Sequence, residues 1–346
     1  MSHSTVVNRP APSVAVIGAT GAVGREIIGC LEKRAFPLSR LRLLASARSA
    51  GQKIPFKGRE LPVETLDEKS LKDVDIALFS AGSSVTKLAA PTAGMRTVII
   101  DNSSAFRMDA NVPLVIPEVN PGTTFSHSGI IANPNCTAII SAMALWPLHL
   151  QNPIRRVIAS TYQAASGAGA AAMEELRQST EAFLANRPFT PRVLPHPYAF
   201  NVFSHNTAID PVSGSNDEEI KVMRELRKIM NLPELRIGIT CVRVPVLRAH
   251  TIVMSVEFER PMRHESVREI LSTAPGVRLA DDRTRNHFPM PNEATGHDEV
   301  IAGRFRPDLG DPTGHTVSMM VAGDQLLKGA ALNAVQIAEL VIRGAP

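Results

Sequence analysis

The sequence has few cysteines, the residues that cross-link small secreted domains, and few tryptophans and tyrosines. Its 346 residues include only three cysteines, one tryptophan and two tyrosines. Cys30, Cys136 and Cys241 lie far apart and form no CxxC pair, which argues against a disulfide framework and against a zinc site. We therefore expect no metal and a reducing, cytoplasmic setting.

Long apolar runs and blocks of like charge are also missing. No segment approaches the ~18 uninterrupted apolar residues of a membrane span, and residues 1–13 lack the apolar core of a signal peptide and are expected to be a disordered lead-in. The 37 Lys and Arg residues are nearly balanced by 33 Asp and Glu residues and form no run of five or more, so neither nucleic acid nor a membrane is an expected partner. The length is sufficient for two globular domains.

The pattern of the sequence changes between residues 135 and 150. Before that point, short apolar runs alternate with helical patterns, which indicates an α/β, doubly wound, Rossmann-type domain of parallel strands buried on both faces. Beyond it, longer runs with one polar face indicate an α+β domain with a mixed sheet and helices on one side. Strands are predicted at 13–19, 41–46, 74–81, 96–104, 129–135, 155–164, 236–246, 250–259 and 300–308. Helices are predicted at 22–34, 85–95, 137–146, 169–185, 217–230 and 264–273. The predicted domains are 13–135, joined by a C-terminal helix at 325–346, and 136–324.

Glycines recur at the turn after the first predicted strand. GATGAVG, residues 18–24, places Gly18, Gly21 and Gly24 between a strand and the start of a helix. Glycine permits a tight turn and lets backbone amides approach a pyrophosphate at the helix N-terminus. In this context the motif predicts a dinucleotide site, although a βα turn without a ligand can have the same pattern.

The end of the second predicted strand indicates which dinucleotide is bound. LLASARSAGQK, residues 43–53, has no acidic residue where an NAD site usually places one, and it offers Arg48 and Ser49 with Ser46 and Lys53 nearby. A guanidinium in place of a carboxylate suits a 2′-phosphate, so NADP is favoured. A solvated basic loop is the alternative interpretation.

One cysteine differs from the other two in its setting. In NPNCT, residues 133–137, Pro134 ends a predicted strand, and the following helix is expected to stop at Pro147. Cys136 is thereby placed at or near a helix N-terminus, where the dipole and the free amides stabilise a thiolate. Cys30 and Cys241 lie inside apolar helix and strand patterns, where a cysteine is usually inert. Cys136 is therefore the predicted nucleophile.

A thiolate combined with a nicotinamide cofactor indicates chemistry at the aldehyde level, in which hydride transfer links a hemithioacetal to a thioester. Such chemistry calls for a proton shuttle, usually histidine. The ten histidines of the chain leave that choice open.

Seven blocks, in the same order, resemble aspartate-β-semialdehyde dehydrogenase. They are GATGAVG, DNSSAFRM (101–108), NPNCT, STYQAASGAG (160–169), NDEEIKV (216–222), CVRVPVLRAH (241–250) and GDQLLKGAALNAVQIAE (323–339). The resemblance implies a Rossmann-type domain with a catalytic and dimerisation domain, in a homodimer or a dimer of dimers. It also implies NADPH-dependent reduction of β-aspartyl phosphate to aspartate semialdehyde with release of phosphate, toward diaminopimelate and lysine, threonine, methionine and isoleucine.

The same resemblance implies roles for individual residues. Cys136 would form the acyl-thioester, His250 would be the acid/base histidine, and Gln163 would orient the intermediate. The implied substrate-binding residues are Arg243 for the carboxylate, Glu218 for the amino group, and Arg107, Lys221 and Asn135 around the phosphate. The implied cofactor-binding residues are Gly18, Thr20, Gly21, Ala22, Val23, Arg48, Ser49, Ser166, Gly167 and Gln325. The sequence departs from the family at Ala138, where a second hydroxyl residue is more common, and at Gln325, where many members have Asn.

Some of these residues could also have no functional role, and two other functions stay open. Arg243 on its own could be a strand-surface charge, and EEIK a solvated helix face with an ion pair. N-acetyl-γ-glutamyl-phosphate reductase shares the architecture and a Cys/His pair, but its motif typically has Gly before the cysteine and an aromatic residue soon after. Asn135 and Thr137 flank Cys136 instead. A non-catalytic homologue would be expected to have lost the nucleophile or the histidine.

Overall fold

The computed structural model describes residues 11–92 and 96–344 of the chain. The lead-in expected at 1–13 falls mostly outside the described residues, as do the last three residues of the helix predicted at 85–95. The chain forms two compact units: unit 1 comprises Met1–Asn135 and Ala330–Pro346, and unit 2 comprises Cys136–Gly329. Every described helix is too short or too polar to cross a membrane.

Unit 1 is built on a seven-stranded sheet. Its strands are β1 (Ser13–Ile17), β2 (Arg40–Ala45), β3 (Lys53–Phe56), β4 (Arg59–Thr65), β5 (Ile76–Phe79), β6 (Val98–Asp101) and β7 (Ile130–Ala132). The helices between them are α1 (Ala22–Lys33) and α2 (Ser83–Ala89). The spatial order is β3-β4-β2-β1-β5-β6-β7, and all neighbours are parallel except β3 and β4. This arrangement confirms the predicted doubly wound fold.

The position of β1 determines where unit 1 can bind a ligand. β1 pairs with β2 on one side and with β5 on the other, so the order of the strands reverses there. In open α/β sheets, ligands bind in the crevice beyond the carboxyl ends of the strands at such a reversal. The strands β5 and β6 are buried along their whole length, as their apolar sequences predict.

The hairpin of β3 and β4 is an element that the sequence pattern does not predict. Its strands are rich in charged residues and lie at the sheet edge, where exposed charge is common because it prevents unwanted pairing. Its two-residue turn consists of Lys57 and Gly58, which both have positive φ, at 49° and 72°. Such a turn matches the twist of the flanking strands.

Unit 2 contains a second seven-stranded sheet, which is mixed. Its strands are β8 (Ile154–Gln163), β9 (Phe203–Ser204), β10 (Arg236–Arg243), β11 (His250–Phe258), β12 (Val277–Leu279), β13 (Val300–Pro307) and β14 (Thr316–Gly323). Its helices are α3 (Cys136–Gln151), α4 (Ala170–Leu184), α5 (Asp217–Ile229), α6 (His264–Ser272) and α7 (Pro291–Ala294). The strand order is β12-β13-β14-β11-β8-β10-β9, with β8 parallel to β10 and antiparallel to β11.

The two faces of this sheet differ. Residues of β8 alternate between buried and exposed, so Ile158 and Tyr162 face outward while their neighbours face the helices. Helix α3 contacts α5 and α6, and each of the three helices contacts strands of the sheet. The predicted mixed sheet is therefore confirmed, although β9, β12 and β14 were not among the predicted strands.

The prediction that Pro147 ends the helix after NPNCT is wrong. Helix α3 continues to Gln151 with Pro147 inside it. Proline removes one backbone hydrogen bond and crowds the preceding turn. Leu145 and Leu148 on either side are fully buried, and their packing holds the helix together across the proline.

The C-terminal segment also differs from the single helix predicted at 325–346. A π-helical stretch, Leu327–Ala331, precedes the α-helix α8, Leu332–Arg343. Helix α8 belongs to unit 1, where it packs against α1 and where Glu339 forms an ion pair with Arg34 at 2.6 Å. Its Asn333 is buried and donates a hydrogen bond to Asn133 at 2.7 Å.

Gly303→Ala tests the close packing of β13. A Cβ at position 303 would lie 1.8 Å from the carbonyl oxygen of Ala280, which is backbone and cannot give way, whereas a Cβ at Gly238 in β10 would meet nothing within 4 Å. Overpacking costs about 1–3 kcal/mol, so we expect Gly303→Ala to lower the Tm by roughly 5 °C. Gly238→Ala is the matched control and should leave the Tm unchanged or slightly raised. Equal Tm values for the two variants, measured by circular dichroism, would contradict this packing.

Candidate active site

The glycine turn after β1 in unit 1 has the geometry that the motif predicts. Gly18 has a φ of +80°, and a Cβ there would lie 2.9 Å from Ser80 Oγ. A Cβ at Gly24 would lie 2.2 Å from the carbonyl oxygen of Gly18, so the helix can approach the turn only because residue 24 is glycine. The close approach of strand, turn and helix therefore depends on both glycines.

The start of α1 has the features of a helix N-terminus that can bind an anion. The N-cap is Gly21, no side chain caps the helix, and the first turn, which begins with Ala22 and Val23, contains no acidic residue. Its first amides therefore have no side-chain acceptor and lie at the positive end of the helix dipole. Thr20 Oγ1 donates to Ser49 Oγ at 3.3 Å, so this loop and the loop after β2 lie side by side.

The loop after β2 carries the basic group expected from the sequence. Residues Ala47–Ser49 form a short 3-10 turn in which Arg48 is exposed. No carboxylate occupies the end of β2. Arg48, Ser49, Thr20 and the start of α1 therefore share the carboxyl edge of the sheet, as predicted for the adenosine end of a dinucleotide.

Arg107 lies beside the start of the NPNCT segment, also in unit 1. Its Nε donates to the carbonyl oxygen of Asn133 at 2.9 Å, and its Nη2 donates to that of Asn102 at 2.7 Å. Asn133 in turn donates to Asn102 Oδ1 at 3.0 Å. Asn135 is buried. Two backbone carbonyl oxygens therefore hold the Arg107 guanidinium.

Cys136 is the first residue of α3 in unit 2, as predicted. It is partly exposed, whereas Cys30 and Cys241 are buried. Burial raises the pKa of the Cys241 thiol to about 12, so this second cysteine of unit 2 stays protonated. A Cβ at Gly329 would lie 2.9 Å from Cys136 Cβ, so the backbone of the GDQLLKGAA segment packs directly on the cysteine.

Gln163, at the carboxyl end of β8, connects the residue that follows Cys136 with Glu218, another predicted site residue. Its Nε2 donates to Thr137 Oγ1 at 2.6 Å and to Glu218 Oε1 at 2.9 Å. Its Oε1 is buried and has no hydrogen-bond partner. Thr137 follows the nucleophile and was not among the predicted site residues. The Gln163 amide is therefore held by its nitrogen and presents an unused acceptor.

Arg243, the last residue of β10, is a buried cation rather than a surface charge. Its side chain is 3% exposed, its Nε donates to Asn206 Oδ1 at 3.1 Å, and its Nη1 donates to the carbonyl oxygen of Ala164 at 3.0 Å. Burial lowers its pKa, and the neighbouring Tyr198, Glu218 and Cys136 groups oppose that shift. These hydrogen bonds use two of the five N–H donors of the guanidinium.

His250 begins β11 and is fully buried. Its Nδ1 accepts a hydrogen bond from the backbone N–H of Ala164 at 3.0 Å, and its Nε2 has no partner. Burial, together with the charge of Arg243, lowers the pKa of His250 to about 3. A Cβ at Gly167 would lie 2.9 Å from Arg243 Nη1 and 3.1 Å from His250 Nε2, so both side chains border this exposed glycine.

Gln325 ties the last segment of unit 2 to the histidine. Its Oε1 accepts from the backbone N–H of Ala249 at 2.8 Å, and its Nε2 donates to Ser166 Oγ. Ala249 has a φ of +70°, a left-handed conformation that is strained for alanine and is held by this contact. Ser166, Gly167 and Gln325, which the resemblance gives to the cofactor, thus surround His250 in unit 2, whereas the other expected cofactor residues are in unit 1.

A loop that the sequence did not single out supports Glu218 and Arg243. Besides Asn206, it contains Thr207, whose Oγ1 accepts from the backbone N–H of Glu218 at 3.2 Å. It also contains His205, whose pKa burial and Arg243 lower to about 4. Lys221 lies one turn after Glu218 on α5, half-buried. The only sequence signal is the polar run SHNT, residues 204–207.

The fold agrees with the comparisons to known proteins. Residues 13–127 match the family described as semialdehyde dehydrogenase, NAD binding domain, and residues 145–328 match semialdehyde dehydrogenase, dimerisation domain. The chain is 48% identical to the aspartate-semialdehyde dehydrogenase of Synechocystis sp., over 96% of this chain and 98% of that protein. This chain belongs to the aspartate-semialdehyde dehydrogenase family.

Further members of the aspartate-semialdehyde dehydrogenase family support this. The Bacillus subtilis enzyme is 44% identical, over 94% of this chain and 96% of that protein. The solved structure of aspartate semialdehyde dehydrogenase II from Vibrio cholerae, complexed with ASA, has a TM-score of 0.92 at 37% identity, covering 98% of this chain and 100% of that chain. The family and fold class predicted from the sequence are confirmed.

The different settings of the cysteines predict their reactivity in the folded protein. Iodoacetamide should alkylate Cys136 about tenfold or more faster than Cys241 or Cys30, because only Cys136 combines exposure with a helix start. Peptide mass mapping over time measures the three rates. The denatured chain is the control and should be alkylated at all three positions. Modification of Cys241 at the rate of Cys136 in the native protein would contradict the assignment.

Proposed function

We propose that the chain catalyses the NADP-dependent reductive dephosphorylation of β-aspartyl phosphate to aspartate semialdehyde through a thioester on Cys136. The observation that carries the chemistry is a cluster in unit 2. It joins a partly exposed thiol at a helix start with two buried polar atoms that have no partner, Gln163 Oε1 and His250 Nε2. Unsatisfied buried polar groups cost free energy, so their presence together marks the position of a polar ligand.

The charges of the cluster suit a small amino acid derivative. Arg243 has two of its five N–H donors bound and can hold the planar carboxylate with its remaining donors. The ammonium group would be held by Glu218, which is buried next to Gln163, and by the free Gln163 Oε1. Lys221 supplies a cation for the phosphate. That Arg107 and Asn135 bind the phosphate stays a prediction from the sequence.

Cys136 is the proposed nucleophile because of its position at the start of a helix. Cys136 Sγ at the start of α3 is stabilised as a thiolate by the helix dipole. It attacks the carbonyl carbon of the acyl phosphate, and the carbon–oxygen bond to the phosphate breaks to leave the thioester. His250 Nε2 borders the same exposed Gly167 as Arg243, where it can contact the reacting oxygen. The fixed backbone around Cys136 and His250 reduces the reorganisation that the reaction requires.

The residues of unit 1 fit NADP. The uncapped start of α1 can bind the pyrophosphate, with Gly18, Thr20, Gly21, Ala22 and Val23 forming the turn, and Arg48 with Ser49 can bind the 2′-phosphate. When bound, NADPH supplies the hydride that takes the thioester to the aldehyde level. We also keep Ser166, Gly167 and Gln325 as proposed cofactor residues.

The proposed assembly is a homodimer. The matched dimerisation domain covers most of unit 2, and in its sheet the residues on one face of β8 are exposed. On that face Ile158 and Tyr162 of β8 are 48% and 42% exposed, an apolar exposure that a second copy would cover. Sedimentation at several protein concentrations measures the oligomeric state.

The decisive assay is the phosphate-dependent oxidation of aspartate semialdehyde, run with NADP and NAD in parallel. The two other functions predict different results. An N-acetyl-γ-glutamyl-phosphate reductase would prefer the longer acetylated aldehyde, and a non-catalytic homologue would bind NADP without turning over either aldehyde.

Cys136→Ala should lower kcat/KM for aspartate semialdehyde at least about 10³-fold, because no other group can form the thioester. Cys30→Ala is the control, since Cys30 is buried in α1 of unit 1 and is expected to leave kcat/KM unchanged. Steady-state kinetics with phosphate and NADP measure both variants. A loss of less than tenfold in Cys136→Ala would refute the nucleophile.

Arg48→Ala should lower kcat/KM for NADP roughly 10- to 100-fold, since a hydrogen bond to a charged group contributes about 1.5–3 kcal/mol. The value for NAD should change little, because NAD lacks the 2′-phosphate. Arg59→Ala removes another exposed arginine of unit 1, on β4, and serves as the control. An equal loss for NADP and NAD would show that Arg48 does not read the 2′-phosphate.

A further inference from the structure

We propose that unit 2 has a second binding site, for a small molecule that carries a phosphate group, in a surface cavity between α6 and the segment that follows β12. The cavity has a volume of about 680 Å³, which is within the range of small-molecule sites. Its walls include the side chains of Arg268, Arg283 and Arg285. Binding at this site is independent of the reaction proposed for Cys136.

The place of the cavity in the fold separates it from the candidate active site. β12 is an edge strand of the sheet in unit 2, and β11, which begins with His250, is the third strand inward from it. The residues that line the cavity all fall between positions 264 and 287 and include none of the predicted site residues. A ligand bound in the cavity is therefore distinct from the proposed substrate and cofactor.

Arg283 has several hydrogen-bond donors that are not used. Its Nη2 donates to the carbonyl oxygen of Phe305 on β13 at 2.7 Å, which fixes the position of the side chain. Among the residues that the structure describes, this is the one hydrogen bond of its guanidinium. Since a guanidinium has five N–H donors, four of them stay available to a ligand.

Arg268 reaches the cavity from α6 with its donors also available. Its ion pair is with Asp281, whose Oδ2 lies 3.7 Å from Nε, too far for a hydrogen bond. The Asp281 side chain is only 3% exposed, and its Oδ1 accepts from the backbone N–H of Phe305 at 3.3 Å. Asp281 thus orients Arg268 without occupying the guanidinium, which is 55% exposed.

The two other carboxylates of the cavity already have partners. Asp282 Oδ2 accepts from Arg285 Nε at 2.6 Å. Glu265 Oε1 lies 3.2 Å from His264 Nε2. Because the carboxylates are paired and the donors of the other two arginines are largely unused, the cavity offers hydrogen-bond donors to an anion rather than acceptors to a cation.

The available donors suit phosphate in particular. The planar N–H fork of a guanidinium matches two phosphate oxygens and forms strong, charge-assisted hydrogen bonds with them. Arg268 and Arg283 enter the cavity from two separate elements, so a tetrahedral phosphate, whose oxygens point in several directions, can accept from both. Leu279 also lines the cavity and gives the organic part of a phosphate ester an apolar contact.

Isothermal titration calorimetry of the full-length protein tests the site with two probes, pyrophosphate and glucose 6-phosphate. The first is an inorganic anhydride and the second a phosphate monoester, so the two titrations distinguish the sources of the phosphate group. Both probes can also bind where the substrate or cofactor is proposed to bind, so variants define the cavity. We expect at least one probe to bind at a site whose Kd rises about tenfold or more in Arg268→Ala and in Arg283→Ala, since each loses charged hydrogen bonds.

Arg177→Ala is the matched control. Arg177 on α4 is 60% exposed and has an ion pair of 3.8 Å with Glu174, much like that of Arg268, but it does not line the cavity. Circular dichroism and Tm values show whether the variants fold, and Arg268→Ala, which loses only a long ion pair, keeps the test valid if Arg283→Ala is unstable. Failure of both probes to bind, unchanged binding in Arg268→Ala, or an equal loss in Arg177→Ala would overturn the inference.

Discussion

The candidate active site in unit 2 depends on contacts made by the carboxyl end of β8. Within two consecutive residues, Gln163 and Ala164, the chain contacts four of the groups on which the site depends. The Gln163 side chain binds Thr137 beside the nucleophile and Glu218 on α5. The Ala164 peptide binds His250 through its N–H and Arg243 through its carbonyl oxygen. Because β8 pairs with both β10 and β11, which carry Arg243 and His250, the register of the sheet sets these contacts.

Close packing of the backbone at two glycines also shapes the candidate active site. Gly167 leaves room beside Arg243 and His250, and Gly329 packs its backbone on Cys136. The strained Ala249 is held by Gln325, which also binds Ser166. Strain at such a position persists only where the surrounding contacts determine it, which is typical of a preorganised site. Many family members have Asn where this chain has Gln325, whose amide contacts both Ala249 and Ser166.

The sequence predicts the elements whose local pattern is strong. The parallel strands of unit 1, the glycine turn and the setting of Cys136 follow from apolar runs, glycine spacing and a proline-bounded helix start. Pro147 misled the prediction because tertiary packing of Leu145 and Leu148 outweighs a local helix breaker. The β3–β4 hairpin was missed because each of its strands has only a short apolar alternation that contains a proline, Pro55 in β3 and Pro62 in β4. Asn206 and the Ala164 amide were missed because their roles depend on contacts with residues 37 and 86 positions away, which no local pattern encodes.

The central claim is that Cys136 carries the substrate as a thioester. The most direct measurement is the mass of the protein after rapid mixing with β-aspartyl phosphate in the absence of reduced cofactor, followed by acid quenching and peptide mapping. We expect that one aspartyl group is added, that it is located on the peptide containing Cys136, and that hydroxylamine removes it. An unmodified Cys136 peptide, or acylation at Cys30 or Cys241 instead, would contradict it.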